Sequence, residues 1–166
     1  MRIELAAPTA EDTRAIGGAL AALLRAGDVV TLTGELGAGK TTLVQGVASA
    51  LEYSGAVASP TFTLVREYRT PSLRIVHADV YRLDRIQEVI DLGLQELLDD
   101  DGVLLVEWGD AVAEVLPGEP LVVELMVPGE GPGDGEERAI SLRGGGSWAS
   151  RWERLEQVVD RWRVGA

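Results

Sequence analysis

The 166-residue chain has no cysteine and no asparagine, and only one lysine (Lys40), one histidine (His77) and one phenylalanine (Phe62). Without cysteine there is no thiolate nucleophile, thiolate metal ligand or disulfide, a pattern that suits an intracellular protein. A lone histidine cannot build a multi-histidine zinc site. A lone lysine leaves no second amine for Schiff-base chemistry. Nowhere do 18 apolar residues run uninterrupted and no apolar signal segment opens the chain, so we expect no membrane span and a cytoplasmic location. Positive charge is also scarce: 15 basic groups face 27 acidic ones, for a net charge of −12. The imbalance is uneven, since residues 1–137 carry 9 basic and 24 acidic groups and residues 138–166 carry 6 and 3. Such a surface repels phosphate backbones, so unaided nucleic-acid binding is not expected.

What is present suits one soluble domain spanning residues 1–166, with 46% hydrophobic and 25% charged residues. Thr9 and Asp12 form a T-x-x-D capping pattern, and Ile16, Leu20, Leu23 and Leu24 follow at helical spacing up to Gly27. This amphipathic helix is expected to precede the first buried strand, Asp28 to Thr33, a short β-branched run. Leu43, Val44, Val47 and Leu51 then recur at helical spacing. Leu73–Ala78 and Val103–Val106 read as further apolar strands ending in Asp79 and Glu107, with a helical stretch broken near Gly93 between them. Strands alternating with helices indicate a parallel sheet covered on both faces. Leu121–Val127 and Arg138–Leu142, joined by the glycine-rich stretch Gly129–Gly135, read instead as an antiparallel pair. Ser150 and Glu153 suggest a capping box for a last helix bearing Trp152, Leu155, Val159 and Trp162 on one face.

Gly34-Glu35-Leu36-Gly37-Ala38-Gly39-Lys40-Thr41-Thr42 matches G-x-x-x-x-G-K-[ST] between a strand and a helix, the context that this phosphate-binding motif requires. Glycines let backbone N–H groups turn inward, and the new helix adds its positive end, so the turn forms an anion nest. Lys40 is a compact charge that reaches the β- and γ-phosphates, and Thr41 offers a hydroxyl to Mg²⁺. The guanine-recognition motif of GTPases needs a lysine of its own, and the chain has none left for it. ATP is therefore the expected nucleotide, and the expected architecture is an α/β, P-loop NTPase-like three-layer fold with a mainly parallel sheet and an antiparallel C-terminal strand pair.

In a parallel sheet Asp79 and Glu107 lie on the same edge as the phosphate loop. Either can serve as the Walker B carboxylate, and either can position the attacking water. Ser59-Pro60-Thr61-Phe62 occupies the place of a γ-phosphate-sensing segment, with Thr61 as a candidate hydroxyl and Phe62 as an apolar anchor.

Gly34–Thr42, Ser59–Phe62, H-A-D-V-Y-R at 77–82 and Glu107-Trp108 together resemble, in order and spacing, the TsaE (YjeE) family. The resemblance implies a bacterial Mg²⁺-dependent ATPase, weak alone and stimulated by partners. It implies action with TsaB and TsaD in making threonylcarbamoyladenosine at position 37 of tRNA, with tRNA met only through those partners. It further implies phosphate contacts from Lys40, Thr41 and Thr42, with Thr41 and Glu107 as metal ligands. Catalytic and switch groups would include Lys40, Asp79, Glu107 and Thr61; Trp108 would lie near the nucleotide, and Thr9 and Ala10 would line an adenine pocket. His77, Tyr81 and Arg82 carry the most distinctive part of the pattern without a role assigned by it. Two other functions also fit a phosphate loop: a small-metabolite kinase with Arg66, Arg69 or Arg82 clamping the transferred phosphoryl group, and a nucleotide-gated binding module that hydrolyses little.

Overall fold

The computed structural model describes residues 1–61, 64–81, 83, 85–98, 101–108, 113–129 and 135–165. Phe62, Arg82 and most of the 129–135 stretch singled out above lie outside them. Seven strands, β1 (Arg2–Ala7), β2 (Val29–Thr33), β3 (Val65–Arg69), β4 (Arg74–Asp79), β5 (Gly102–Glu107), β6 (Leu121–Met126) and β7 (Arg138–Arg143), form one sheet in the order β1-β7-β6-β2-β5-β4-β3. β2 pairs in parallel with both β5 and β6, and β5 in parallel with β4. β7 runs antiparallel between β1 and β6, and β3 antiparallel beside β4, so five of the seven strands share one direction.

Period-2 alternation divides the central strands between two apolar layers. Val30, Leu32, Val103 and Leu105 face helices α1 (Ala10–Ala21), α2 (Lys40–Ala50) and α5 (Trp152–Val159). Val29, Leu104 and Val106 face α3 (Ile86–Asp91) and α4 (Leu94–Leu98). The result is the expected helix–sheet–helix sandwich. Helix α1 begins as its sequence dictates: Asp12 N–H donates to the Thr9 hydroxyl at 3.1 Å, and the Asp12 carboxylate accepts from Thr9 N–H at 3.2 Å. That carboxylate also accepts the Trp162 indole N–H at 2.9 Å, which with Thr9 holds the Asp12 carboxyl below its usual pKa. Helices α1 and α2 touch backbone to backbone. A Cβ at Gly17 would stand 2.2 Å from the Leu43 carbonyl oxygen, and one at Gly46 only 1.9 Å from that of Arg14. The start of α2 is thus set by a contact that tolerates no side chain at either crossing point.

Three local expectations are corrected. A strand, β1, comes before α1, its Ile3, Leu5 and Ala7 buried and Arg2 exposed. β3 is also present, with only Tyr68 of its five residues buried. The Ser150–Glu153 capping box does not form: residues Gly146–Arg151 make a 3₁₀ turn in which the Ser150 hydroxyl donates to the Ser147 carbonyl, and α5 starts at Trp152. The competing interaction is a buried ion pair. Arg151 donates from Nη1 and Nη2 to the two oxygens of Asp28 at 2.6 and 2.9 Å, donates also to the Leu23 carbonyl at 2.7 Å, and stacks on Trp148. Asp28 accepts the Arg25 N–H as well, at 2.7 Å, so the foot of β2 is fixed from two sides. Farther on, the chain returns to the free edge of β1, where the Val164 N–H donates to the Glu4 carbonyl at 2.9 Å and Arg163 bridges Leu5.

Arg151 and Asp28 are 4% and 7% exposed, and losing one partner strands a buried charge. Arg151→Ala is expected to lower the free energy of urea unfolding by about 3 kcal/mol, whereas Arg14→Ala, whose partner Glu11 lies in solvent, leaves it nearly unchanged.

Candidate functional site

β2 ends at Thr33 and α2 begins at Lys40, and the loop between them must reverse direction in six residues. Gly34 makes that possible: its φ is +142°, and a Cβ there would stand 2.4 Å from the Leu125 carbonyl oxygen of β6. Gly39, at φ +103°, caps α2 without a side-chain hydrogen bond, which leaves the first N–H groups of the helix available to an anion. Lys40 is 5% exposed. Its ammonium donates to the Gly34 and Glu35 carbonyls at 2.7 and 3.0 Å and lies 3.9 Å from the centre of the Trp108 ring. Trp108 is the first residue after β5 and has φ +66°, a left-handed conformation that costs a non-glycine residue on the order of 1 kcal/mol. Its N–H donates to the Leu32 carbonyl at 2.7 Å, so the bend is held and the ring turns back over the loop. Tyr81 packs against the same ring, tilted by 37°, with ring centres 4.8 Å apart.

Parallel register sets Asp79 and Glu107 side by side on β4 and β5. Their environments differ. Glu107, 3% exposed, accepts from the Thr41 hydroxyl at 3.2 Å and is 2.6 Å from His77 Nε2. His77 is fully buried, and its Nδ1 meets the Tyr68 hydroxyl at 3.0 Å. A carboxylate accepts only, so Nε2 carries the proton it donates to Glu107. Burial pushes the Tyr68 phenol above its usual pKa, keeping it protonated as the next member of the chain. Asp79 instead gathers the Ser59–Thr61 segment: it accepts from the Ser59 hydroxyl at 2.8 Å, the Thr61 hydroxyl at 3.1 Å and the Tyr81 N–H at 3.0 Å.

These groups line one cavity of about 340 Å³, which brings together Leu36, Gly37, Gly39, Lys40, Thr41, Thr42, Thr61, Asp79, Glu107 and Trp108 among the residues picked from sequence. Gly34 and Glu35 meet it through the carbonyls that hold Lys40, and Ala38 is buried behind the loop. Ala10 lies elsewhere, in an adjoining cavity of about 210 Å³ that shares Gly39 and Thr42 and is otherwise lined by Thr13, Gly135, Glu136 and Arg138. His77 and Tyr81 separate: the first is a buried support of Glu107, the second is 54% exposed at the cavity rim. Arg66 and Arg69 are exposed on the edge strand β3, away from the cavity. Sequence reasoning passed over Ser59 as a ligand of Asp79, Tyr68 as the partner of His77, and Arg138 altogether. The first lay in the S-P-T segment already marked; the other two follow from strand pairing.

Among the described residues no three His, Cys, Asp or Glu side chains converge on a common point able to hold a metal. A cation held here would have to draw on few protein oxygens. The Thr41 hydroxyl and Glu107 carboxylate, already adjacent at the first turn of α2, suit Mg²⁺, which takes one or two protein ligands and completes its shell with phosphate and water. The chain's own contribution is testable without a metal. His77→Ala is expected to loosen Glu107, so that hydrogen exchange at the Thr41 and Thr42 amides rises severalfold while exchange in β6 holds.

Comparison with known proteins agrees with this geometry. The family model described as "Threonylcarbamoyl adenosine biosynthesis protein TsaE" matches residues 7–133. The Bacillus subtilis tRNA threonylcarbamoyladenosine biosynthesis protein TsaE is 41% identical over 151 residues, 91% of this chain and 89% of the relative. Its Streptomyces coelicolor counterpart is 49% identical over 113 residues, covering 65% of this chain and 74% of that protein. In three dimensions the crystal structure of Bacillus subtilis YdiB superposes with a TM-score of 0.76 at 35% identity, over 97% of this chain and 95% of the other. Sequence motifs, fold and relatives coincide, and the chain belongs to the TsaE family.

Proposed function

We propose that this protein is the ATP-binding and ATP-hydrolysing component of tRNA threonylcarbamoyladenosine biosynthesis, working in the cytoplasm with TsaB and TsaD partners. The observation that carries the reading is the joint placement of Lys40, Thr41 and Glu107 where a strand, a glycine loop and a helix N-terminus meet. That the relatives are named for this pathway supports the biological half.

The polyphosphate lies along the loop, with the first N–H groups of α2 donating to it and Lys40 leaving the Gly34 and Glu35 carbonyls to do the same. The adjoining cavity at Ala10 takes the nucleoside. Thr41 and Glu107 would hold Mg²⁺, which when bound would supply positive charge to offset that of the phosphates. Glu107 is held in orientation because His77 and Thr41 donate to it. Asp79, bound to the Ser59 and Thr61 hydroxyls, aligns the attacking water and senses the γ-phosphate through that segment. The isolated chain hydrolyses ATP slowly and its partners stimulate it; among the described residues no arginine lines the main cavity. The net charge of −12 supports a reading in which tRNA contact falls to those partners. The exposed positions of Arg66 and Arg69 leave a metabolite kinase no clamp from β3; Arg82, the other candidate, lies outside the described residues.

ATP turnover measured with and without TsaB and TsaD tests the whole reading. Wild type is expected to be stimulated by them, while Lys40→Ala and Glu107→Ala lose at least about a hundredfold in turnover; rapid phosphoryl transfer to a metabolite by the lone chain would refute it. Trp108 emission should change when MgATP binds, as Lys40 leaves the ring, and the change should vanish in Trp108→Phe.

A further inference from the structure

The carbonyls of the glycine loop are held in two pairs by two different cations. A loop that turns its N–H groups inward to meet an anion must turn carbonyls elsewhere, and each needs a donor if the shape is to persist. Lys40 holds the carbonyls of Gly34 and Glu35. Arg138, at the start of β7, holds the next pair: Nε donates to Ala38 at 2.9 Å and Nη2 to Gly37 at 3.2 Å. The other side of the same guanidinium is fixed as well, Nη1 donating to the Gly135 and Glu137 carbonyls at 2.7 Å each. Arg138 is registered against Ala7 of β1, so its backbone belongs to the sheet.

We propose that Arg138 is a positioning residue for nucleotide binding, a planar bridge that keeps the loop wrapped when Lys40 transfers its hydrogen bonds from carbonyl to phosphate. The inference rests on the nucleotide reading above and adds a residue outside the segment matched by the family model, which ends at residue 133. The chemistry favours arginine. Two carbonyls one residue apart require two donors in one plane, which the guanidinium fork provides and an ammonium on a flexible stem does not. Arg138 acts through the loop backbone, its four hydrogen bonds all ending on backbone carbonyls, and its side chain also borders the adjoining cavity. A positive charge at that point also favours the polyphosphate, and the test separates charge from geometry.

Arg138→Ala and Arg138→Lys are compared with wild type by amide hydrogen exchange without nucleotide and by MgATP titration. Both variants are expected to exchange about tenfold faster at residues 35–41 and to bind MgATP about tenfold more weakly, with β2 and β5 exchanging as in wild type. Unchanged loop exchange in Arg138→Ala overturns the proposal. So does full recovery in Arg138→Lys, which would reduce Arg138 to a nearby charge, and so does acceleration throughout β2 and β5, which would make it a general stabiliser. If wild type binds no nucleotide, the functional reading fails, while loop exchange still decides the role of Arg138.

Discussion

Glu107 places a carboxylate at the end of the most apolar strand, almost out of contact with water. An ion so placed is tolerated only when its oxygens are met by donors, and those donors come from two separate elements, with a third behind them. Thr41 arrives on α2 and His77 on β4, and Tyr68 on β3 completes the shell around the imidazole. Satisfying one buried charge therefore fixes the start of the helix, the register of two parallel strands and the pairing of an edge strand. The chemistry of the site and the packing of the fold are here one set of contacts, which is why the proposed metal-binding oxygens stand together in the protein itself.

The central strand is fixed at both ends by different means. At its foot, Asp28 and Arg151 join β2 to the C-terminal 3₁₀ turn through a bidentate pair away from solvent. At its head, the loop is pressed against Leu125 of β6 and bound by Arg138 of β7. The C-terminal part of the chain therefore contacts β2 at its foot and, through the glycine loop, at its head. Between these points the glycine contact of α1 with α2 sets how closely those two helices lie together.

Local signals in the sequence were sufficient for the strand–loop–helix unit, the α1 capping box and the two acidic strand ends, because each depends on residues within a few positions of one another. β3 was not legible: V-R-E-Y-R has no apolar run, and it is a strand only because β4 offers it an edge. β1 carries a period-2 pattern in Ile3, Leu5 and Ala7 that the stronger capping signal next to it obscured. The Ser150–Glu153 pattern misled because a buried ion pair with a residue 123 positions away outweighs a surface cap. His77 and Glu107 are 30 positions apart; nothing in either strand alone states that parallel pairing brings them within hydrogen-bonding distance.

The two outermost strands of the sheet end it in different ways. β3 exposes Arg66, Glu67 and Arg69, charges that a neighbouring strand would have to desolvate. β1 is met by the chain's own C-terminal segment, where the Val164 N–H takes the outward Glu4 carbonyl that a further strand would use and Arg163 lies opposite Leu5. Both borders are thereby closed to growth by strand addition, the usual route to unwanted filaments. Recognition of other proteins is left to side chains and loops, where it can be made selective.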